Sequence, residues 1–196
     1  MGSSKLARRN VKGDIMKVMK NICAMPVLIG GMLIVSTPAS AQEIFGGVTK
    51  HGVDTPFTLK TYEEGANIQL GMRGDPIVSL GAIGGPAPYI FGSLNTAGDT
   101  SFVAAGLSWK IGKTFYVRPG VGLAIHDGPK ERFAANGRRT DLGSRVLFEP
   151  EIGVGVAVAP RVSVEAHWSH ISHARIFNGE QNPGLDMIGA RVNVKL

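Results

Sequence analysis

Cysteine is almost missing from this chain, and the one present, Cys23, sits near the N-terminus. A fold stapled by disulfides is therefore excluded. No set of His, Cys and acidic residues has the spacing of a metal site. Gly153-Val154-Gly155 lies inside an alternating run, so it is no phosphate loop. Neither a metal nor a cofactor is expected. Long hydrophobic runs are also scarce. After residue 41 none approaches the roughly 20 apolar residues of a spanning helix, and helical periodicity is rare. Strong charge of one sign is lacking too, once the first 41 residues are set aside. They hold six of the 21 basic residues and one of the 15 acids, Asp14. The remainder has 21 − 6 = 15 basic and 15 − 1 = 14 acidic residues, close to +1. Without a basic field, nucleic acid is not an expected partner.

What is present begins with a leader. Lys17 and Lys20, with the more distant Arg8 and Arg9, form a basic stretch. Ile22 to Val35 is apolar and uncharged, and Ala39-Ser40-Ala41 is an A-x-A cleavage signal. The spacing predicts a secretory signal peptide over 1–41, cleaved after Ala41. Met16 or Met19 are alternative starts. Cys23 lacks the pattern of a lipoprotein anchor before it. Residues 42–196 are expected to form one domain.

That domain alternates. Phe115, Val117, Pro119, Val121, Leu123 and Ile125 are apolar, with Tyr116, Arg118, Gly120, Gly122, Ala124 and His126 between them. The same period of two recurs from Val103 to Ile111 and from Val146 to Val158. Such runs are strands with one apolar and one mixed face. Eight are expected, at 43–51, 64–73, 88–96, 101–111, 113–126, 143–158, 160–172 and 186–196. Glu149, Glu151, Glu165, Arg118 and Arg191 fall on the mixed faces. Pattern alone does not separate a soluble sandwich from a membrane barrel. The leader, the even strand count and the aromatics Trp109, Phe115 and Trp168 near strand ends favour an eight-stranded antiparallel transmembrane β-barrel of the outer membrane. The five charged residues would then form an internal ion-pair network.

Connection lengths agree. With both termini in the periplasm, the tight connections around Gly112 and at Ala159-Pro160-Arg161 are inner turns. The long ones, from Asp127 to Leu142 and from His173 to Leu185, are outer loops. The connection at 74–87 departs from the rule, because it should be a short inner turn and is long.

Two His-x-Ser units, His167-Trp168-Ser169 and His170-Ile171-Ser172, close the seventh strand, and Asp186 opens the eighth. A histidine, a serine and an acid are the parts of a hydrolytic triad. Parity assigns His170, Ser172 and Asp186 to the lipid-facing side, at one height on adjacent strands. His167 and Ser169 would face the lumen, unless a bulge shifts the phase. Glu180 is an alternative acid. His126 with Asp127 reads as a solvated strand end. Hydrated headgroup-level residues remain the bland alternative to catalysis.

His170-Ile171-Ser172-His173-Ala174 followed by Asn182-Pro183-Gly184-Leu185-Asp186 resembles the lipid A 3-O-deacylase (PagL) family of outer-membrane barrels, often labelled acyloxyacyl hydrolases. That family has H-x-S-N-A, a short loop, N-x-G and an acid or amide on the last strand. The resemblance implies hydrolysis of the ester-linked acyl chain at position 3 of lipid A in the bacterial outer membrane, without metal or cofactor. Its partners would be lipopolysaccharide and membrane lipids, with a homodimer left open. His170 would be the base, Ser172 the nucleophile and Asp186 the acid. Asp186 stands where the family commonly has Glu, one methylene longer. Asn182 matches a family asparagine and is an oxyanion-hole candidate, or else a cap of its own turn. His173 replaces the family Asn and is a substitute donor or second base. Arg132, Arg138 and Arg139, beside Lys130, are candidates for the lipid A phosphates or simply solvated. The competing functions are a non-catalytic structural or adhesive barrel, and an esterase or phospholipase on other outer-leaflet lipids.

Overall fold

The period-two runs form eight antiparallel strands among the described residues of a computed structural model, which are 42–58, 61–130, 139–176 and 183–196. The expected leader, residues 1–41, lies outside them. The strands are β1 (Glu43–Lys50), β2 (Ala66–Arg73), β3 (Ala87–Asn95), β4 (Phe102–Ser108, resumed as Ile111–Gly112), β5 (Phe115–His126), β6 (Val146–Ala159), β7 (Val162–Ile171) and β8 (Leu185–Lys195). Their ends match the expected ones to within a few residues. Each strand pairs with its sequence neighbours, and β1 pairs with β8 from Glu43↔Lys195 to Lys50↔Ile188. The sheet is therefore closed, and no edge is left unpaired.

The apolar faces point outward. Leu70, Val121, Leu123, Ile125, Val154 and Ile188 are all exposed. A closed barrel with an outward apolar surface is the arrangement that suits lipid, since a closed sheet lets its strands pair their backbone groups with one another.

The mixed faces fill the lumen. Arg118 bridges Glu43 (2.9 Å) and Glu165 (3.1 Å), and Arg73 also bonds Glu43. Arg191 bonds Glu151 at 2.8 Å and Gln69 at 2.9 Å. Glu149 differs from the expected network: it accepts a bond from the Tyr89 hydroxyl. Gly153 makes room for this layer, since a Cβ there would collide with the Glu165 carboxylate. Nearer the loop-bearing rim the lumen is apolar, with Phe102, Ala124, Leu147, Ile171, Leu185 and Met187 buried together under Leu142. Alternation gave these positions as inward, and their hydrophobic character closes that end of the barrel to water.

The 74–86 connection is long, as its sequence indicated, and it is ordered. It forms a 3-10 turn over Val78–Ile83, capped by Gly84 at positive φ. The Trp109 indole donates to the Ile83 carbonyl at 2.7 Å, fastening this turn to β4.

At the opposite rim the loops are tied together. The Glu63 carboxylate takes the Thr100 N–H and hydroxyl, both at 3.0 Å, and the Thr140 N–H at 2.7 Å. His51 pairs with it at 2.8 Å. One buried carboxylate thus joins the β1–β2, β3–β4 and β5–β6 connections. Burial alone would raise its pKa, but these hydrogen bonds, that from His51 foremost, hold it below the usual carboxylate value.

Candidate active site

The seventh and eighth strands carry the site, so their register fixes it. They pair without interruption from Val162↔Val194 to Ile171↔Leu185. No bulge disturbs this pair; the register shift in β6 lies between Ala157 and Ala159, at the far end of the barrel. Parity therefore runs through to the rim. Within the lumen, His167 bonds Glu151 at 2.9 Å and Ser169 is wholly buried. That His-x-Ser unit is part of the interior packing. His170 points outward, directly opposite Asp186.

Four groups converge on Asp186. His170 Nδ1 lies 3.1 Å from Asp186 Oδ1. Trp168, one step down β7 on the same face, donates its indole N–H to the same oxygen at 2.8 Å. The Thr55 hydroxyl donates to Asp186 Oδ2. The Val53 N–H reaches the Asp186 carbonyl at 3.0 Å, which docks the β1–β2 loop on β8. This loop covers Asp186 so completely that none of it is exposed. A bare carboxylate at that height would be costly, but here both oxygens are bonded. With Asp186 accepting at Nδ1, the neutral ring carries its proton there, which leaves Nε2 as the basic nitrogen.

Aromatic rings wall the site. Trp168 and His170 stack, with centroids 6.1 Å apart and planes 18° from parallel. Phe57 packs tilted against Trp168, with centroids 5.9 Å apart. Gly184 closes the Nε2 edge, where a Cβ would meet His170 Cε1 at 2.5 Å and Nε2 at 3.0 Å.

Ser172 follows His170 on the outward parity. Its backbone bonds Phe148 of β6 twice, N–H to carbonyl at 3.1 Å and carbonyl from N–H at 2.8 Å. Between this bridge and the Glu151↔Ser169 pair the register sets Pro150 opposite His170, where β6 has no N–H to give. The chain then turns sharply. Ala174 and Arg175 both have positive φ, and the Ile176 N–H bonds the His173 carbonyl at 2.9 Å. His173 is fully buried, and neither ring nitrogen has a hydrogen-bond partner among the described residues.

The remaining expected residues are distributed differently. Arg139 pairs with Asp127 at 3.0 Å at the loop rim. Asn182, Glu180, Arg132 and Arg138 lie outside the described residues. His126, expected as a solvated strand end, is instead buried, with its ring against the Ser144 carbonyl at 2.6 Å. Sequence reasoning missed Thr55 and the indole bond of Trp168. Thr55 is remote in sequence and gave no signal. Trp168 gave one, since a tryptophan two residues before His170 shares its face.

A family model described as lipid A 3-O-deacylase (PagL) matches residues 56–195. The lipid A deacylase PagL of Bordetella bronchiseptica is 32% identical over 80 residues, covering 41% of this chain and 40% of that protein. The chain thus matches about two fifths of the length of this curated relative. A solved structure, described as that of the outer membrane enzyme PagL, superposes with a TM-score of 0.54 at 16% identity. It covers 79% of this chain and 99% of its own, and the likeness is one of fold.

Proposed function

The chain belongs to the lipid A 3-O-deacylase (PagL) family, and on that basis we propose that it hydrolyses the ester-linked acyl chain at position 3 of lipid A. The observation that carries this reading is the cross-strand pair of His170 and Asp186 on the outward face, with Ser172 two residues on. The pair lies on the strand face that turns toward lipid, which suits a lipid substrate better than a water-soluble one.

In the proposed reaction His170 Nε2 takes the Ser172 hydroxyl proton as Ser172 Oγ attacks the ester carbonyl. Asp186 holds the ring by Nδ1 and stabilises the imidazolium. The tetrahedral intermediate collapses, and His170 returns the proton to the leaving 3-hydroxyl of the glucosamine. Water, deprotonated by His170, then attacks the acyl-serine and releases a fatty acid. The match of Asn182 to the family asparagine supports it as the donor to the oxyanion. Arg132 and Arg138, with Arg139 at the rim, suit the lipid A phosphates. Residues 1–41 act as the leader, so the mature chain starts at Gln42; N-terminal sequencing of membrane-extracted protein checks that.

Mass spectrometry of lipid A from cells that express the protein tests the activity. Loss of one 3-linked acyl chain is expected with the wild type and not with Ser172→Ala. Unchanged lipid A in both would sink the proposal, and release of acyl chains from phospholipid would redirect it.

A further inference from the structure

The periplasmic rim of the barrel, opposite the site, holds a cluster of cations that deacylation does not use. Lys110, Lys113, Arg161 and Lys195 line a solvent-open cleft of about 310 Å³, together with Pro160 and Ser163, and among the described residues no carboxylate side chain lines it. None of the four forms an ion pair with a described residue. The acids of the adjoining lumen layer do not neutralise them. Glu43 and Glu165 are bonded to Arg73 and Arg118, two charges against two.

The backbone builds this cluster. The Ala157 N–H bonds the Thr114 carbonyl at 2.8 Å, which fastens the turn bearing Lys113 to β6. The Lys195 N–H bonds the Arg161 carbonyl, also at 2.8 Å, which sets those two side by side. The register shift in β6 falls between Ala157 and Ala159, both in the wall of the cleft. Lys110 sits where β4 is interrupted, and its ammonium lies 4.1 Å from the centre of the Tyr116 ring. Beneath, the Tyr116 hydroxyl donates to Ser163 at 2.9 Å, a neutral polar floor.

Four uncompensated cations in one cleft repel one another unless an anion joins them. Their height says which anion. Ile111, Phe115 and Val158 are exposed around the cleft and form the lower edge of the outward apolar surface. Lipid headgroups lie where that surface ends. We propose that the cleft binds the phosphate of an anionic phospholipid in the periplasmic leaflet. Arg161 offers paired N–H donors to two phosphate oxygens, and the lysines act as point charges around them.

Detergent-purified full-length protein, titrated with phosphatidylglycerol, phosphatidylcholine or inorganic phosphate and followed by native mass spectrometry, tests this. The wild type should retain phosphatidylglycerol in preference to phosphatidylcholine. Each single neutralisation, such as Lys113→Gln or Arg161→Gln, should weaken retention roughly five-fold. The combined K110Q/K113Q/R161Q/K195Q change should abolish the preference, and K110R/K113R/K195R should keep it. If the combined variant does not fold, the single changes at the two turns decide. Equal retention by wild type and neutralised variants would overturn the site. Full displacement by inorganic phosphate at the lipid's concentration would overturn the lipid as its ligand.

Discussion

Trp168 donates its indole N–H to Asp186 Oδ1 at 2.8 Å, the same oxygen that lies 3.1 Å from His170 Nδ1. The two residues are diagonal neighbours across β7 and β8, because Trp168 is opposite Ile188 and His170 is opposite Asp186. A short carboxylate is thus anchored from two sides, by the indole and by the Thr55 hydroxyl. Asp186 has one methylene fewer than the glutamate common in the family, and these anchors fix it within reach of the ring.

Trp168→Phe keeps an aromatic ring beside Phe57 but removes the indole N–H together with its five-membered ring. In the proposed reaction kcat should fall about ten-fold with KM little changed, as expected for loss of one bond to a charged group. A kinetic assay on purified lipid A separates the two constants. A change confined to KM would place Trp168 in substrate binding instead.

Ser172→Ala should lower deacylation by about four orders of magnitude or more, and Ser169→Ala should leave it nearly intact. The contrast tests the strand phase directly. Ser169 is buried in the lumen, and a dead Ser169→Ala enzyme with an active Ser172→Ala enzyme would reverse the assignment.

Gly184→Ala puts a methyl 2.5 Å from His170 Cε1, so the ring must shift. A displacement of about 1 Å can cost roughly 10²-fold in rate. The variant should still fold as a barrel, with its heat-modifiable electrophoretic mobility unchanged, while activity drops by that order.

Glu63 gives the loops a pH dependence. Its folded pKa is below the ordinary 4.5, so its stabilising contribution is complete above that value and is lost as pH falls through the folded pKa. The protection factors of the β1–β2 loop amides, corrected for intrinsic exchange, should therefore fall on acidification below about pH 4.5. In Glu63→Gln the loop should exchange faster at neutral pH, by a factor equivalent to about 1–3 kcal/mol, and respond less to acid. Identical profiles in the two proteins would show that Glu63 does not hold the loop. Because this loop carries Thr55, loss of the tie should also slow the proposed reaction.

Much of the fold was legible in the chain. Alternation named the strands and their faces, and strand parity separated His170 from His167. It could do so because side-chain direction in a strand has period two and β7 carries no bulge against β8. Less legible was the lumen. Phe102, Leu147, Ile171 and Met187 occupy inward positions, yet only their assembly around Leu142 closes the end of the barrel.

The site divides in the same way. Residues close in sequence or paired by register, His170 with Ser172 and His170 with Asp186, follow from local periodicity and from the order of the strands. The tertiary structure alone decided that Thr55 covers Asp186, that the Trp168 indole shares its oxygen, and that Glu63 ties three loops together. Those contacts depend on how irregular loops settle on a closed rim. A loop has no repeating side-chain direction, so its sequence does not state which distant group it will meet.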